Sequence, residues 1–295
     1  MQTVAVIGLG LMGTAIAGRL KLGGFAPLGF DVDPAKRAAY LAQGAGGAGV
    51  ESLAQAVQQA GVLVLAVFDT AQVEAVVEGE GGIAQAAGAV GKRVSVICTS
   101  TCDPDRIAAL AARCTGVDFV ELPVSGTSAQ VARGEGVGLA AGEPRAVREV
   151  DAVIAAICPK RHYLGACGNG GRAKLAINLV LGLNRAAIAE GLAFAEQAGL
   201  EVEKFFGVLR ESAAYSAVMD TKGKLMVEGR FEAPQSRVDQ SLKDFSLMLD
   251  YGARKGQSLP FASTYAQMLE DCVAHGQAQW DNAAIIEAIR RRRTV

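Results

Sequence analysis

The stretch Val4-Ala5-Val6-Ile7-Gly8-Leu9-Gly10-Leu11-Met12-Gly13 decides the fold of this chain. Its first four residues are apolar and largely β-branched, which predicts a buried strand. The glycines then follow as G-x-G-x-x-G, between that strand signal and a helix signal, and in this context the pattern marks a dinucleotide-binding turn. Gly8 makes the tight turn, Gly10 lets a pyrophosphate approach the backbone, and Gly13 lets helix pack on strand. The first helical residues, Leu11 and Met12 among them, offer N–H groups and the positive dipole end to phosphate.

The segment beyond agrees. Ala15 to Lys21 continues a helix that Gly23-Gly24 ends, and Leu28-Gly29-Phe30-Asp31 reads as a second strand closed by an acid. Asp31 follows Gly13 at roughly the 20-residue interval of such folds. A carboxylate there accepts ribose hydroxyls and repels a 2′-phosphate, so the expected cofactor is NAD rather than NADP. The plainer reading makes Asp31 a turn acid, with Asp33-Pro34 capping and opening the next helix.

Length and composition narrow the class. The chain has 295 residues, enough for about two domains. It is 51% hydrophobic and 20% charged, with a net charge of −1. Those values predict a folded protein and give no basic field for nucleic acid. The basic run Arg290–Arg293 reads as a solvated helix end. The six cysteines (98, 102, 114, 158, 167, 272) lack paired metal spacing. No metal site is expected, and the thiols read as reduced groups of a cytoplasmic protein. No leader is read ahead of the first strand. No membrane span is expected, because the apolar stretch Leu175–Leu183 is short and broken by Asn178.

Strand signals at Val4–Ile7, Leu28–Phe30, Val62–Val67, Val94–Cys98 and Phe119–Leu122 alternate with helix signals. Ser52 is read as the cap of Leu53–Gln59, Thr70 of Ala71–Val77, and Asp103-Pro104 as the opening of Asp105–Arg113. Val137–Ala141 and His162–Leu164 read as later strands flanking a helix over Pro144–Ile157, a mixed-direction edge. Gly79–Gly82 and Ala45–Gly49 read as mobile turns. After about Gly168 strand signals end, and helical spacing runs through residues 173–198, then Val202–Glu211, Tyr215–Met226, Val238–Lys255, Pro260–His275 and Ala283–Ile289. The predicted fold is α/β: a Rossmann-type doubly wound sheet over residues 1–165 and an all-α domain over 166–295, joined by a long helix.

Chemistry-bearing residues are few. His162 and His275 have no nucleophile partner in a recognisable motif, so a hydrolase triad is not supported. Lys174 follows Gly168-Asn169-Gly170-Gly171, with Asn178 one turn on and on the same helix face. A lysine and an amide in an apolar helix need partners; the alternative is a lysine snorkelling from the helix start. Ser125, Gly126 and Thr127 follow a strand end, where an open sheet meets its ligand, and also suit an ordinary polar turn. Thr99-Ser100-Thr101 fits either the nicotinamide end or a helix cap. Lys243 could simply pair with Asp239.

Together these pieces resemble the β-hydroxyacid dehydrogenases, the family of 3-hydroxyisobutyrate dehydrogenase and tartronate semialdehyde reductase, over nearly the whole chain. Gly8-Leu9-Gly10-Leu11-Met12-Gly13 matches the family fingerprint. Ser100-Thr101 and Pro123-Val124-Ser125-Gly126 match its Ser-Thr and substrate segments. Gly168-x-Gly170 with Lys174 and Asn178 matches the catalytic segment, and Lys243-Asp244 the C-terminal pair. The resemblance implies Lys174 as general acid/base, with Asn178, Ser125, Gly126 and Thr127 binding a small 3-hydroxy acid or its semialdehyde. It implies that Val67, Phe68, Thr101 and Lys243 contact the cofactor, and that the protein is a homodimer or homotetramer. There are four departures from the family: Thr127 for a second glycine, Glu121-Leu122 for Asp-Ala, Cys98 for Asp, and the charged Arg172 near Lys174. Two other readings compete. Imine reductases share the architecture but lack the lysine, and a non-catalytic dinucleotide binder needs none of the catalytic set.

Overall fold

The computed structural model describes residues 1–42 and 48–292. The chain divides into two compact units, Met1–Lys174 and Leu175–Val295, where the sequence drew its division at 165/166. The first unit opens with β1 (Thr3–Ile7), α1 (Leu11–Leu22), β2 (Ala26–Phe30), α2 (Pro34–Ala42), α3 (Leu53–Gln59) and β3 (Val62–Leu65). It continues with α4 (Thr70–Glu78), α5 (Ile83–Ala89), β4 (Val94–Cys98), α6 (Pro104–Arg113) and β5 (Val117–Glu121). Then come β6 (Val124–Ser125), α7 (Ser128–Ala132), β7 (Val137–Gly142), α8 (Pro144–Glu149), α9 (Asp151–Ile157) and β8 (Lys160–Tyr163). Helix α10 (Asn169–Gln197) carries the chain into the second unit.

The sheet order is β2-β1-β3-β4-β5-β7-β6, with β8 on β7. Strands β1 to β5 are parallel, while β7 runs antiparallel to β5 and β6. The mixed edge expected from the sequence is therefore present. Because side chains alternate across a strand, β1 sends Ala5 and Ile7 into one core and Val4 and Val6 into the other. Helices cover both faces, as a parallel sheet requires. Strand order reverses at β1, between β2 and β3, and in such sheets a ligand crevice lies outside the strand C-termini at this switch. The glycine turn follows β1, and Val67-Phe68 follows β3.

Several boundaries differ for local reasons. Helix α4 is capped by Asp69, not Thr70: the Asp69 carboxylate accepts from the Gln72 N–H, and Thr70 is already helical. The helix expected over Pro144–Ile157 breaks at Val150 into α8 and α9. Gly79–Gly82 is a hydrogen-bonded turn. Of the other turn expected to be mobile, Ala45–Gly47 lie outside the described residues, as does Arg293 of the basic run.

The second unit is helical: α11 (Val202–Glu211), α12 (Lys224–Glu228), α13 (Val238–Arg254), α14 (Pro260–Ala274) and α15 (Ile285–Arg291). Instead of one helix over Tyr215–Met226, a π-helical turn at Met219–Gly223 precedes α12. Its Gly223 packs under the Phe206 ring so closely that an added Cβ would lie 2.2 Å from that ring. Leu192, Met226, Phe245, Tyr265 and Ile285 lie in this unit's core. Under it, Lys222 donates to both oxygens of Asp281, each at 2.8 Å.

Helix α10 has 29 residues and a stretch of mean hydropathy 1.3, long and apolar enough to cross a membrane by those measures alone. It also carries Lys174 near its start and Asn178, Asn184 and Arg185 further along. Such groups are expensive in a bilayer core, and Arg185 donates to the Tyr265 hydroxyl at 2.7 Å inside the helical unit.

Candidate active site

The glycine turn is built to admit a phosphate. Gly8 sits at φ +95°, and a Cβ on it would stand 2.5 Å from the Ala66 carbonyl oxygen. A Cβ on Gly13 would lie 1.8 Å from the Gly8 oxygen, so strand and helix meet only because both residues are glycine. Around Gly10 there is open space. It is the N-cap of α1 and supplies no side-chain acceptor. The first-turn N–H groups, including those of Leu11 and Met12, therefore lack a side-chain cap and suit an anion. This cradle fits a dinucleotide pyrophosphate.

Asp31 is buried at the end of β2. Its Oδ2 accepts the Leu9 N–H at 2.8 Å and its Oδ1 the Asp33 N–H at 2.9 Å. The acid thus fixes the glycine turn. A carboxylate has about four acceptor directions, so ribose hydroxyls can be added to these two bonds. Lys36 stands 3.9 Å from Oδ2, and Arg37 donates to the Asp31 carbonyl at 2.7 Å.

The loops after β3 and β4 are tied together. The Thr99 hydroxyl donates to the Leu65 carbonyl and that of Ser100 to the Val67 carbonyl, both at 2.7 Å. The Phe68 N–H donates to Gln72. Thr101 is half-buried beside this pair. The helix cap at this point is Asp103, which accepts from the Asp105 and Arg106 amides.

Lys174 is buried, and its Nζ donates to the Val124 carbonyl at 2.6 Å. That carbonyl immediately precedes Ser125, so the lysine and the predicted carboxylate-binding loop come together. Gly126 is at φ +143°, a conformation that favours glycine. Thr127 meets a competing demand. Its hydroxyl accepts the Gln130 N–H at 3.2 Å, and its own N–H donates to Gln130 Oε1 at 2.8 Å, a complete capping box for α7. Arg172 donates to Asn169 at 2.7 Å and to Asp105 at 3.1 Å, and its side chain is exposed. Cys98 ends β4 beside Glu121 in register. A hydrogen bond with Cys102, and then burial, push its thiol well above the ordinary range.

In the helical unit Asn178 Nδ2 donates to Asp244 Oδ2 at 3.0 Å, and Lys243 Nζ stands 2.9 Å from Asp244 Oδ1. Asp239 accepts from Arg237, Gln240 and Gln279. His162 and His275 both lie exposed. Asp244 and Glu121 received no role from sequence reasoning; the signal for Glu121 was an acid at the end of an apolar strand.

Residues 3–165 match the family model for the NAD-binding domain of 6-phosphogluconate dehydrogenase. Residues 168–289 match that for the NAD-binding domain of NADP-dependent 3-hydroxyisobutyrate dehydrogenase. The chain is 31% identical to the L-threonate dehydrogenase of Haemophilus influenzae, covering 97% of this chain and 94% of that protein. It is 28% identical to the 2-(hydroxymethyl)glutarate dehydrogenase of Eubacterium barkeri over 96% of this chain and 93% of that one. The crystal structure of 3-hydroxyisobutyrate dehydrogenase from Salmonella typhimurium superposes with a TM-score of 0.86 at 28% identity, covering 97% of this chain and 99% of that one. With the glycine cradle and the lysine-bearing helix in place, the chain belongs to the 3-hydroxyisobutyrate dehydrogenase family of nicotinamide-dependent oxidoreductases.

Proposed function

We propose that this enzyme interconverts a small 3-hydroxy acid and its semialdehyde with NAD, using Lys174 as the general acid/base. The observation that carries this reading is the buried Lys174 amine held against the carbonyl before Ser125. An amine has no stabilising reason to be buried on an apolar helix unless it has polar partners. In oxidation Lys174 Nζ takes the hydroxyl proton as the carbinol carbon loses hydride. In reduction the ammonium returns that proton to the oxygen that gains negative charge. The Val124 carbonyl orients Nζ for both directions. The Ser125 hydroxyl and Gly126 N–H hold the substrate carboxylate, with Thr127 securing the loop and its hydroxyl bordering the same pocket. Asn178, oriented by Asp244, binds the substrate oxygen. When bound, the nicotinamide serves as hydride acceptor or donor. Gly8, Gly10, Leu11, Met12, Gly13, Asp31, Val67, Phe68, Thr101 and Lys243 make up its site.

NAD is preferred over NADP in this reading because a carboxylate at the end of β2, Asp31, would accept ribose hydroxyls and repel a 2′-phosphate. The neighbouring Lys36 and Arg37 are already drawn to Asp31. The names of the relatives make 3-hydroxyisobutyrate and 2-(hydroxymethyl)glutarate, whose primary carbinols give semialdehydes, the substrates to try first, and L-threonate, whose secondary 3-hydroxyl would give an oxo acid by the same hydride loss, the next. The protein works in the cytoplasm as a homodimer or homotetramer, covering the apolar side chains that α10 exposes at Val180 and Phe194. The test is initial-rate NADH formation from NAD⁺, with NADP⁺ in parallel, across those acids plus glycerate, serine and 3-hydroxypropionate. Turnover of one acid with NAD⁺ is expected. Turnover of none of them by protein that binds NAD⁺ would contradict the proposal.

A further inference from the structure

A buried acid that the mechanism does not use lies against the start of α10. Glu121 ends β5 and is 3% exposed. Its carboxylate accepts the Gly168 N–H, and the Gly171 N–H at 3.1 Å. These donors are the entry and first turn of α10, where backbone N–H groups have no helical acceptor and the dipole end is positive. The acid therefore caps α10 from a strand about 50 residues away in sequence.

The same two short segments are joined a second time. Three residues beyond Glu121 lies the Val124 carbonyl, and three beyond Gly171 lies Lys174, whose Nζ donates to that carbonyl. Segments 121–124 and 171–174 thus form a closed ring with a hydrogen bond at each end, and Pro123 stiffens the strand side. The glycines serve this ring. A Cβ on Gly170 would stand 2.8 Å from the Leu139 oxygen and 3.1 Å from Glu121 Cβ. On Gly171 it would lie 3.2 Å from Glu121 Oε1. The Gly170-Gly171 pair exists so that a carboxylate can sit directly against helix backbone. Where the family pattern has Asp before Ala-Pro, this chain has the longer Glu, with the neutral Cys98 beside it in the sheet.

We propose that Glu121 is the positioning residue for Lys174: by gripping the Gly168–Gly171 amides it sets the register of α10 and holds the catalytic amine over the substrate loop. This rests on the reading of Lys174 as general acid/base. An amine displaced by about 1 Å from its working geometry loses up to about 100-fold in rate.

The test compares wild type with Glu121→Gln, Glu121→Asp and Lys174→Ala. Gln keeps the length but turns an amide N–H toward backbone donors; Asp keeps the charge and loses reach. With NAD⁺ and L-threonate, or the best acid of the panel, Glu121→Gln should lower kcat about 10- to 100-fold. The KM values for NAD⁺ and the acid should stay within about twofold. Glu121→Asp should recover part of the lost kcat. Hydrogen exchange of the segment 166–175, which needs no substrate, should quicken at least about tenfold in Glu121→Gln and less in Glu121→Asp. Wild-type kcat in Glu121→Gln beside an inactive Lys174→Ala overturns the Glu121 assignment alone. Wild-type turnover by Lys174→Ala overturns both readings. Unchanged exchange, or losses in kcat matched by equal losses in NAD⁺ affinity, also overturn the assignment. If Glu121→Gln fails to fold, Glu121→Asp is read by the same criteria.

Discussion

At the scale of single residues, three carboxylates hold other groups in place. Asp31 holds the Leu9 amide, Glu121 the Gly168 and Gly171 amides, and Asp244 the Asn178 amide. Burial pushes the Glu121 carboxyl above its usual range, and the α10 amides pull the other way. Asp31→Asn keeps an acceptor for Leu9 but removes the charge that repels a 2′-phosphate. We expect the ratio of kcat/KM for NAD⁺ over NADP⁺ to fall at least about tenfold, roughly 1.4 kcal/mol of discrimination. Measuring both cofactors on wild type and variant checks this, and an unchanged ratio places selection elsewhere. Thr127 belongs to the α7 cap as well as to the proposed substrate loop. Thr127→Ala should cost about 1 kcal/mol in urea unfolding, the usual size of a lost N-cap; no loss would mean that the capping box adds nothing to the folded state.

At the scale of elements, the most legible features were the most local. Strand β1, the glycine turn and α1 were readable because each step depends on residues within a few positions. The Ser52 and Asp103 caps were readable for the same reason. Strand β6 has two residues and α7 five, too few for a periodic signal, and the Ala-rich α5 shows no stripe. The Glu121 grip was hidden because its partners lie far along the chain. Gly13→Ala tests the turn. With only 1.8 Å to the Gly8 oxygen, the added Cβ must part strand from helix. The purified variant should bind NAD⁺ at least about 100-fold more weakly or fail to fold. In the π-turn, burial draws Lys222 down to about 8. Folded, this amine holds its proton less tightly than the unfolded chain does. Its contribution to stability therefore rises with pH between about 8 and the ordinary 10.5. Unfolding free energies at pH 7.5 to 10 should show that rise in wild type relative to Lys222→Met. That variant should itself be about 3–5 kcal/mol less stable, because Asp281 loses its buried partner. Parallel pH curves for the two proteins would contradict this account of Lys222.

At the scale of the whole molecule, a doubly wound sheet supplies the glycine cradle, and the long helix α10 starts at that sheet with the proposed acid/base Lys174. The composition showed the two-part organisation, because strand periodicity stops near Gly168. The boundary fell later, at Lys174, because the start of α10 is tied by Glu121 and Val124 to the sheet unit. Helix α10 leaves Val180 and Phe194 exposed at 58% and 74%. A wild-type oligomer and a smaller Phe194→Glu species by light scattering would show that another subunit covers this face. The measurement closest to the central claim sets Lys174→Ala beside wild type, with NAD⁺ binding by calorimetry and hydroxy-acid oxidation by NADH absorbance. The account predicts at least about a 10³-fold fall in turnover, with NAD⁺ affinity within about threefold of wild type. Turnover at the wild-type rate would show that another group carries the proton and would contradict it.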